Sequence, residues 1–424
     1  MAQGNNSRWF YAYLPNGMSG GATSTLIPLF AYALGGNLAE VGIIAAATSI
    51  ASVPAFVLWG LLSDHLGRRK VFLLLGFAGS AISFAAMAVS STMRQFYLTN
   101  LLLGFLGAAA GPVGAVLVME TAERRQWPAR LALMSRIGGI GWIGGLVLGV
   151  VWLFIGPAFV GEIGAMRALF VIGAALGLLS AFLGAAWLSE PRERVERRAI
   201  HLADIYHRIE RVKFLPMRVL HYIDPRNHRK QGHLSRSLRV YLLSVFLLFA
   251  GFTAFYGFFP ILLRQAYVLS NPQVFAVFIA SQVASTVLYV RVGKWVEDRG
   301  GRPMLISASL ARCILFPAFL FVAFLPLPAL GLFAVALVLH AGIGACWAVI
   351  NVSSTTIASR LAPEDMRGEA LGAFNAVQGF GAILGPLVGG FVALFTGYGL
   401  AVGASVAFIA AGTGILVKNH FSER

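Results

Sequence analysis

"GLLSDHLGRRK", residues 60–70, crowds Asp64, His65, Arg68, Arg69 and Lys70 into a gap between two strongly apolar stretches. The crowding matters because charged residues make up only 12% of the 424-residue chain and hydrophobic ones 58%. A soluble domain carries roughly 25% charged residues. With a mean hydropathy of +0.77, the composition is that of a membrane protein. An apolar run needs about 20 residues to cross the hydrocarbon layer as a helix. Runs of that kind recur along the chain, with centres near Thr23, Ser52, Ser80, Gly107, Gly144, Leu176, Gly251, Ser281, Leu315, Ala341, Ile383 and Phe408. In lipid every backbone amide must be satisfied internally, and short strands of alternating polarity are missing, so the spans read as helices. The fold class is an all-α polytopic membrane protein with about twelve transmembrane helices.

The first span, near residues 9–34, has no small-residue cleavage site and carries Asn16, Ser19 and Thr23, so it is expected to remain in the mature protein. Cys313 and Cys346 both lie in apolar stretches, which argues against a disulfide framework or a cysteine metal site. No metal and no cofactor are expected.

Lys and Arg gather on the cytoplasmic side of membrane proteins. With the N-terminus inside, one face receives Arg68, Arg69 and Lys70, then Arg124, Arg125 and Arg130, then Lys294, Arg299 and Arg302, then Arg360 and Arg367. The opposite turns hold Arg94, Arg167 and Arg264. Both termini are therefore expected in the cytoplasm. From Glu190 to Arg239 there are thirteen Lys/Arg against six Asp/Glu, a large share of the net charge of +16. This stretch reads as a cytoplasmic loop lying along the anionic leaflet. No recognition motif or stacking pattern accompanies its charge, so nucleic acid is not an expected partner. The division is then 1–189 for an N-terminal six-helix bundle, 190–238 for the basic loop and 239–424 for a C-terminal six-helix bundle.

The two bundles repeat one another. Pro28 and Pro260 are 232 apart, and Asn100/His340, Gly104/Gly344, Gly145/Gly385 and Gly149/Gly389 are each 240 apart. The opening stretch has an imperfect echo in "GKWVEDRGGRP", residues 293–303. Aligning Gly60 with Gly293 sets Glu297 opposite Asp64, whereas matching "DRGGR" uses Asp298.

On these residues the chain resembles the major facilitator superfamily over nearly its whole length. The family signature between spans two and three, approximately G-x-L-[SA]-D-[RH]-x-G-R-[RK], is matched by Gly60, Leu62, Ser63, Asp64, Gly67, Arg68 and Arg69. A second family motif, G-x-x-x-G-P-x-x-G-G, is present as "GAILGPLVGG", Gly381 to Gly390. In many proton-driven drug exporters it lies in the fifth span; here it lies in the eleventh, and the fifth has "GWIGGLVLG" without a proline. A family arginine of the fourth span would fall on Asn100, so its part in proton coupling is not implied.

The resemblance implies the twelve-helix fold, two pseudo-symmetric six-helix bundles that rock about a central site. It also implies that Asp64 latches the inner face with Arg68 or Arg69 orienting the turn at Gly60, and that Asp298 and Arg302 do the symmetric job. Exchangeable ion pairs suit that task, each worth only about 1 kcal/mol at a hydrated interface. The plainer reading is that these residues anchor the turn. Gly141, Gly145 and Gly149, and Gly381, Gly385 and Gly389, are rows spaced by four that let helix backbones approach in lipid. Pro386 adds a bend.

Ionisable residues inside the membrane are functional candidates because charge is expensive there. Every Asp and Glu falls at or near a span end, which leaves His340 as the titratable group well inside. His340, Gly344, Trp347 and Asn351 share one helix face by spacing. The candidate pathway residues are Asn16, Thr23, Asn100, Tyr256, Gln282, Tyr289, His340, Trp347, Asn351, Asn375 and Gln378. For any single Asn, Gln or Ser the alternative is an interhelical hydrogen bond. Arg136 and Arg312 are expected nearer the inner ends, where snorkelling or an inter-helix ion pair is favoured over substrate contact, with anion binding by Arg136 as the alternative.

These features point to a secondary transporter moving a small organic solute by alternating access, by efflux of neutral or amphipathic compounds with protons as a coupling partner. The alternatives are a facilitative sugar or metabolite uptake carrier and a non-transporting membrane sensor. No nucleotide-binding or catalytic motif points to an enzyme. The lipid bilayer is the expected surrounding and a monomer the expected state.

Overall fold

Proline spacing explains the first departure from uniform helices. The computed structural model describes residues 8–121, 126–188, 190, 235–362 and 367–419, apart from the side chains of Asp64, Pro112, Met119, Pro128 and residues 367–369. Span one is a helix in two pieces, α1 (Tyr13–Ser24) and α2 (Leu26–Ala33), preceded by a 3-10 turn at Arg8–Ala12. Span four is likewise split into α5 (Met93–Gly107) and α6 (Ala110–Thr121). Pro28 and Pro112 lack the amide that would bond the carbonyl four residues earlier, at Ser24 and Ala108, which is where each helix is interrupted.

The other spans of the first half are α3 (Leu38–Leu66), α4 (Arg69–Val89), α7 (Trp127–Ile155) and α8 (Pro157–Trp187). Those of the second half are α9 (Arg236–Gln265), α10 (Asn271–Arg299), α11 (Gly301–Ala323), α12 (Ala329–Arg360), α13 (Arg367–Thr396) and α14 (Tyr398–Lys418). Among the described residues 10 helices are long and apolar enough to cross a membrane, and the two interrupted helices complete a twelve-span, all-helical fold. Pro260 sits inside α9 without breaking it.

The chain divides into two compact units, Met1–Gly35 with Ala47–Phe214, and Gly36–Ala46 with Leu215–Arg424. The start of α3 thus groups with the second unit, where a Cβ on Gly42 would strike the Pro386 carbonyl oxygen. Of the expected basic loop, residues 190–238, only 190 and 235–238 are among the described residues, and 236–238 already belong to α9.

Inside each unit the same helix pairs meet at glycines. A Cβ on Gly141 would collide with the Leu14 carbonyl and one on Gly145 with that of Met18, which seams α7 to α1. In the second unit Gly385 meets the Ala250 carbonyl and Gly389 that of Ala254, which seams α13 to α9, while Gly381 abuts Phe249. Gly149 is buried. Gly104 on Thr48 and Gly344 on Ser281 make the second matching pair of contacts.

Hydrogen bonds repeat in the same register. Ser180 Oγ donates to the Ala12 carbonyl (2.6 Å) and Ser244 Oγ to that of Gly412 (2.8 Å). Residues 12 and 180, each advanced by 232, give 244 and 412, so one contact is built twice with donor and acceptor exchanged. Ser19 Oγ donates to the Gly173 carbonyl (2.6 Å), and the equivalent positions, Gly251 and Ser405, touch backbone to backbone.

Interhelical hydrogen bonds in membranes average about 0.6 kcal/mol. Ser180→Ala and Ser244→Ala are each expected to cost about that much, additively because the sites lie in different halves. Denaturant unfolding in bicelles of the two single variants and the double variant checks this.

Candidate functional site

The stretch at residues 60–70 forms a bonded network around Arg69. Gly67, with φ of 61°, turns the chain between α3 and α4, a backbone angle that glycine adopts without strain. Arg69 is buried, and its Nη1 donates to Ser63 Oγ (2.8 Å), whose hydroxyl in turn donates to the Gly60 carbonyl (2.9 Å). Arg69 Nη2 lies 3.2 Å from Glu120 Oε1 at the end of α6. Glu190 accepts the Lys70 amide (3.2 Å) at the first turn of α4, where a carboxylate meets the positive end of the helix dipole. Arg68 is exposed, and the side chain of Asp64 lies outside the described residues. Arg124, Arg125 and the Arg367 side chain do too.

The equivalent turn in the second unit uses Gly300, with φ of 85°. It aligns with Gly67 at the same separation that joins Gly60 to Gly293 (300 − 67 = 233; 293 − 60 = 233). This register sets Glu297, not Asp298, opposite Asp64, and Arg302 opposite Arg69. Arg302 Nε donates to the Leu416 carbonyl (2.8 Å) and Nη2 to that of Val417 (3.0 Å), capping the end of α14. Asp298 is exposed. The two turns therefore share backbone geometry and differ in what their arginines hold.

The second unit also holds the densest polar and aromatic cluster. His340 is buried, with Nδ1 2.9 Å from the Val277 carbonyl and Nε2 3.2 Å from the Tyr256 hydroxyl. A neutral imidazole donating from Nδ1 and accepting at Nε2 satisfies both contacts. The rings of Phe259 (4.9 Å) and Phe278 (5.0 Å) enclose it. Here Tyr256 and His340 of the expected pathway set come together.

Beside them lies Arg312, which corrects its expected place near a span end. It stands mid-way along α11, 1% exposed, and its guanidinium lies over Phe252 at 4.4 Å with Trp347 at 5.6 Å and Phe316 at 5.9 Å. Nη2 makes a long bond of 3.4 Å to the Ile343 carbonyl, while Nε and Nη1 have no partner. Tyr256, His340 and Cys346 lie within its electrostatic reach.

The remaining pathway residues are dispersed. Tyr289 packs with Val292 and Ala348; Gln282 is half-buried on α10, Gln378 half-buried on α13, and Asn351 and Asn375 are exposed. In the first unit Asn16 is half-buried and Thr23 Oγ1 donates to the Ser19 carbonyl of its own helix (2.8 Å). Asn100 is fully buried; its Nδ2 donates to the Phe96 carbonyl (2.7 Å) and its Oδ1 has no partner.

Two duplicated helical units, each seamed at glycines and one enclosing a polar–aromatic cluster, define a multi-pass membrane transporter fold. The family model of the Major Facilitator Superfamily matches residues 9–386, and the chain belongs to that family. It is 31% identical over 138 residues to the class B tetracycline resistance protein of Escherichia coli, a match covering 32% of each chain. It is 36% identical over 110 residues to the class D tetracycline resistance protein of Salmonella ordonez, covering 26% of this chain and 27% of that protein. Each match thus spans about a third or less of the relative's length. A solved variant of the nucleoside transporter NupG superposes with a TM-score of 0.72 at 17% identity, over 97% of this chain and all of that one; it shares the fold.

Breaking a buried ion pair by removing one partner costs about 3–5 kcal/mol, and replacing both with apolar groups costs far less. Glu120→Gln is therefore expected to lower the unfolding midpoint sharply, and the double change Arg69→Met with Glu120→Leu to restore most of it. A thermal double-mutant cycle on purified protein measures the difference.

Proposed function

We propose that this transporter exports a small amphipathic organic solute by alternating access between its two six-helix halves. The observation that carries the direction is the similarity to two tetracycline resistance proteins. The physical setting agrees with it. The cluster of Tyr256, His340, Trp347 and Arg312 offers aromatic faces and a few polar groups within one unit, the lining that suits an amphipathic ligand.

The driving force is an ion gradient, with protons the coupling partner, or the solute's own gradient, since the sequence has no phosphate-binding loop. Asp64 gates the cycle from the end of α3, and the Arg69–Glu120 pair fixes the turn against which it works. Glu297 and Arg302 occupy the equivalent turn. Both termini face the cytoplasm, following the distribution of Lys and Arg, and the working unit is a monomer.

Purified protein in liposomes is expected to show counterflow of radiolabelled tetracycline and pH-gradient-driven accumulation that collapses with a protonophore. Solute binding without flux would instead identify a sensor. Asp64→Asn is expected to slow counterflow about tenfold while leaving the dissociation constant within about twofold, a split between turnover and binding that an anchoring role would not produce.

A further inference from the structure

A guanidinium stays protonated in proteins and presents five N–H donors. Arg312 is eleven residues into α11 (312 minus 301), about 17 Å along the axis at 1.5 Å per residue, too deep to reach an interface by snorkelling. Its surroundings supply one weak acceptor at Ile343 and leave two nitrogens unused. The helices around it, α9, α11 and α12, contain no Asp or Glu along their full lengths. The acidic residues of the membrane helices grouped in the second unit, Glu40, Glu297, Asp298 and Glu369, lie at helix ends. The protein thus buries a full positive charge and provides no counter-ion for it among the described residues. An uncompensated charge at this depth is costly, and the faces of Phe252 and Trp347 offset only part of that cost.

We propose that Arg312 is the docking point for the carboxylate of an amphipathic organic anion. The proposal rests on the transporter reading only in taking that anion as the cargo. A single cation matches a single negative charge. Planar, weakly hydrated guanidinium binds carboxylate through paired hydrogen bonds, and unused donors on Arg312 are available to its oxygens. The apolar body of the ligand lies against the rings that already enclose the guanidinium, Phe252, Phe316 and Trp347. Trp347, Cys346 and Tyr256 are half-buried rather than sealed, so the approach is from their side. A dianion such as phosphate would need further cations and donors than these helices offer.

Equilibrium binding to the purified full-length protein tests this with benzoate, 2-naphthoate and indole-3-acetate, each against its neutral primary amide. Wild-type protein is expected to favour at least one carboxylate over its amide roughly 10- to 100-fold, the range for a hydrogen bond to a charged group. Arg312→Gln should abolish the preference and keep amide binding, and Arg312→Lys should retain part of it. Phe252→Leu, which keeps the charge, should weaken carboxylate and amide alike and leave their ratio unchanged. Absence of any carboxylate preference in wild-type protein overturns the proposal without requiring a variant to fold, as does a preference that survives Arg312→Gln. A carboxylate preference without counterflow of the same probe supports the site and refutes transport. Counterflow without charge preference does the reverse.

Discussion

Backbone-to-backbone contact at glycines is the constraint on which the rest of this structure depends. Lipid offers helices little hydrophobic reason to associate, so association relies on packing, and packing is tightest where no side chain intervenes. Gly141 and Gly145 bring α7 onto α1, and Gly385 and Gly389 bring α13 onto α9, so closely that a single methyl group would meet a carbonyl oxygen. Gly104 and Gly344 do the same for α5 against α3 and α12 against α10. Once these backbones are fixed, neighbouring side chains have little freedom in where they point. The serine hydroxyls at 180 and 244 reach carbonyls on facing helices, and the aromatic cluster around His340 closes.

Two buried arginines illustrate opposite uses of charge in that frame. Arg69 is satisfied on several sides by Glu120 and Ser63, and its network ties the α3–α4 turn to the end of α6. Arg312 has aromatic faces and one distant carbonyl. The first arrangement holds a turn in place. The second is a charge kept ready for a ligand, and its cost in stability is of the kind proteins tolerate at functional positions.

Much of the fold was legible from the residues. Apolar runs of membrane length gave the helices, the repeated glycine and proline spacings gave the duplication, and the signature around Gly60 placed the turn. Less was legible about the site. Helix depth depends on where a span starts: with the centre read near Leu315, Arg312 fell toward the inner side, whereas α11 runs from Gly301 to Ala323 and is centred on Arg312 itself. Its isolation could have been noticed, because α9, α11 and α12 lack acidic residues in the sequence itself. The Arg69–Glu120 pair joins residues 51 apart, and no local pattern announces such a partner. Register between the two turns was ambiguous by one residue until the positive-φ glycines at 67 and 300 aligned them. The breaks near Thr25 and Ala108 follow from Pro28 and Pro112, yet Pro260 leaves α9 continuous, so proline alone does not predict an interruption.

If duplicated glycine seams hold both halves, equivalent substitutions must cost equivalent amounts. Thermal unfolding of Gly145→Ala and Gly385→Ala, made singly in the full-length protein, tests this most directly. A similar drop in the midpoint for both variants is expected, in keeping with about 1–3 kcal/mol for forcing a methyl group into a packed contact. Midpoints unchanged from wild type, or a loss confined to one half, would contradict it.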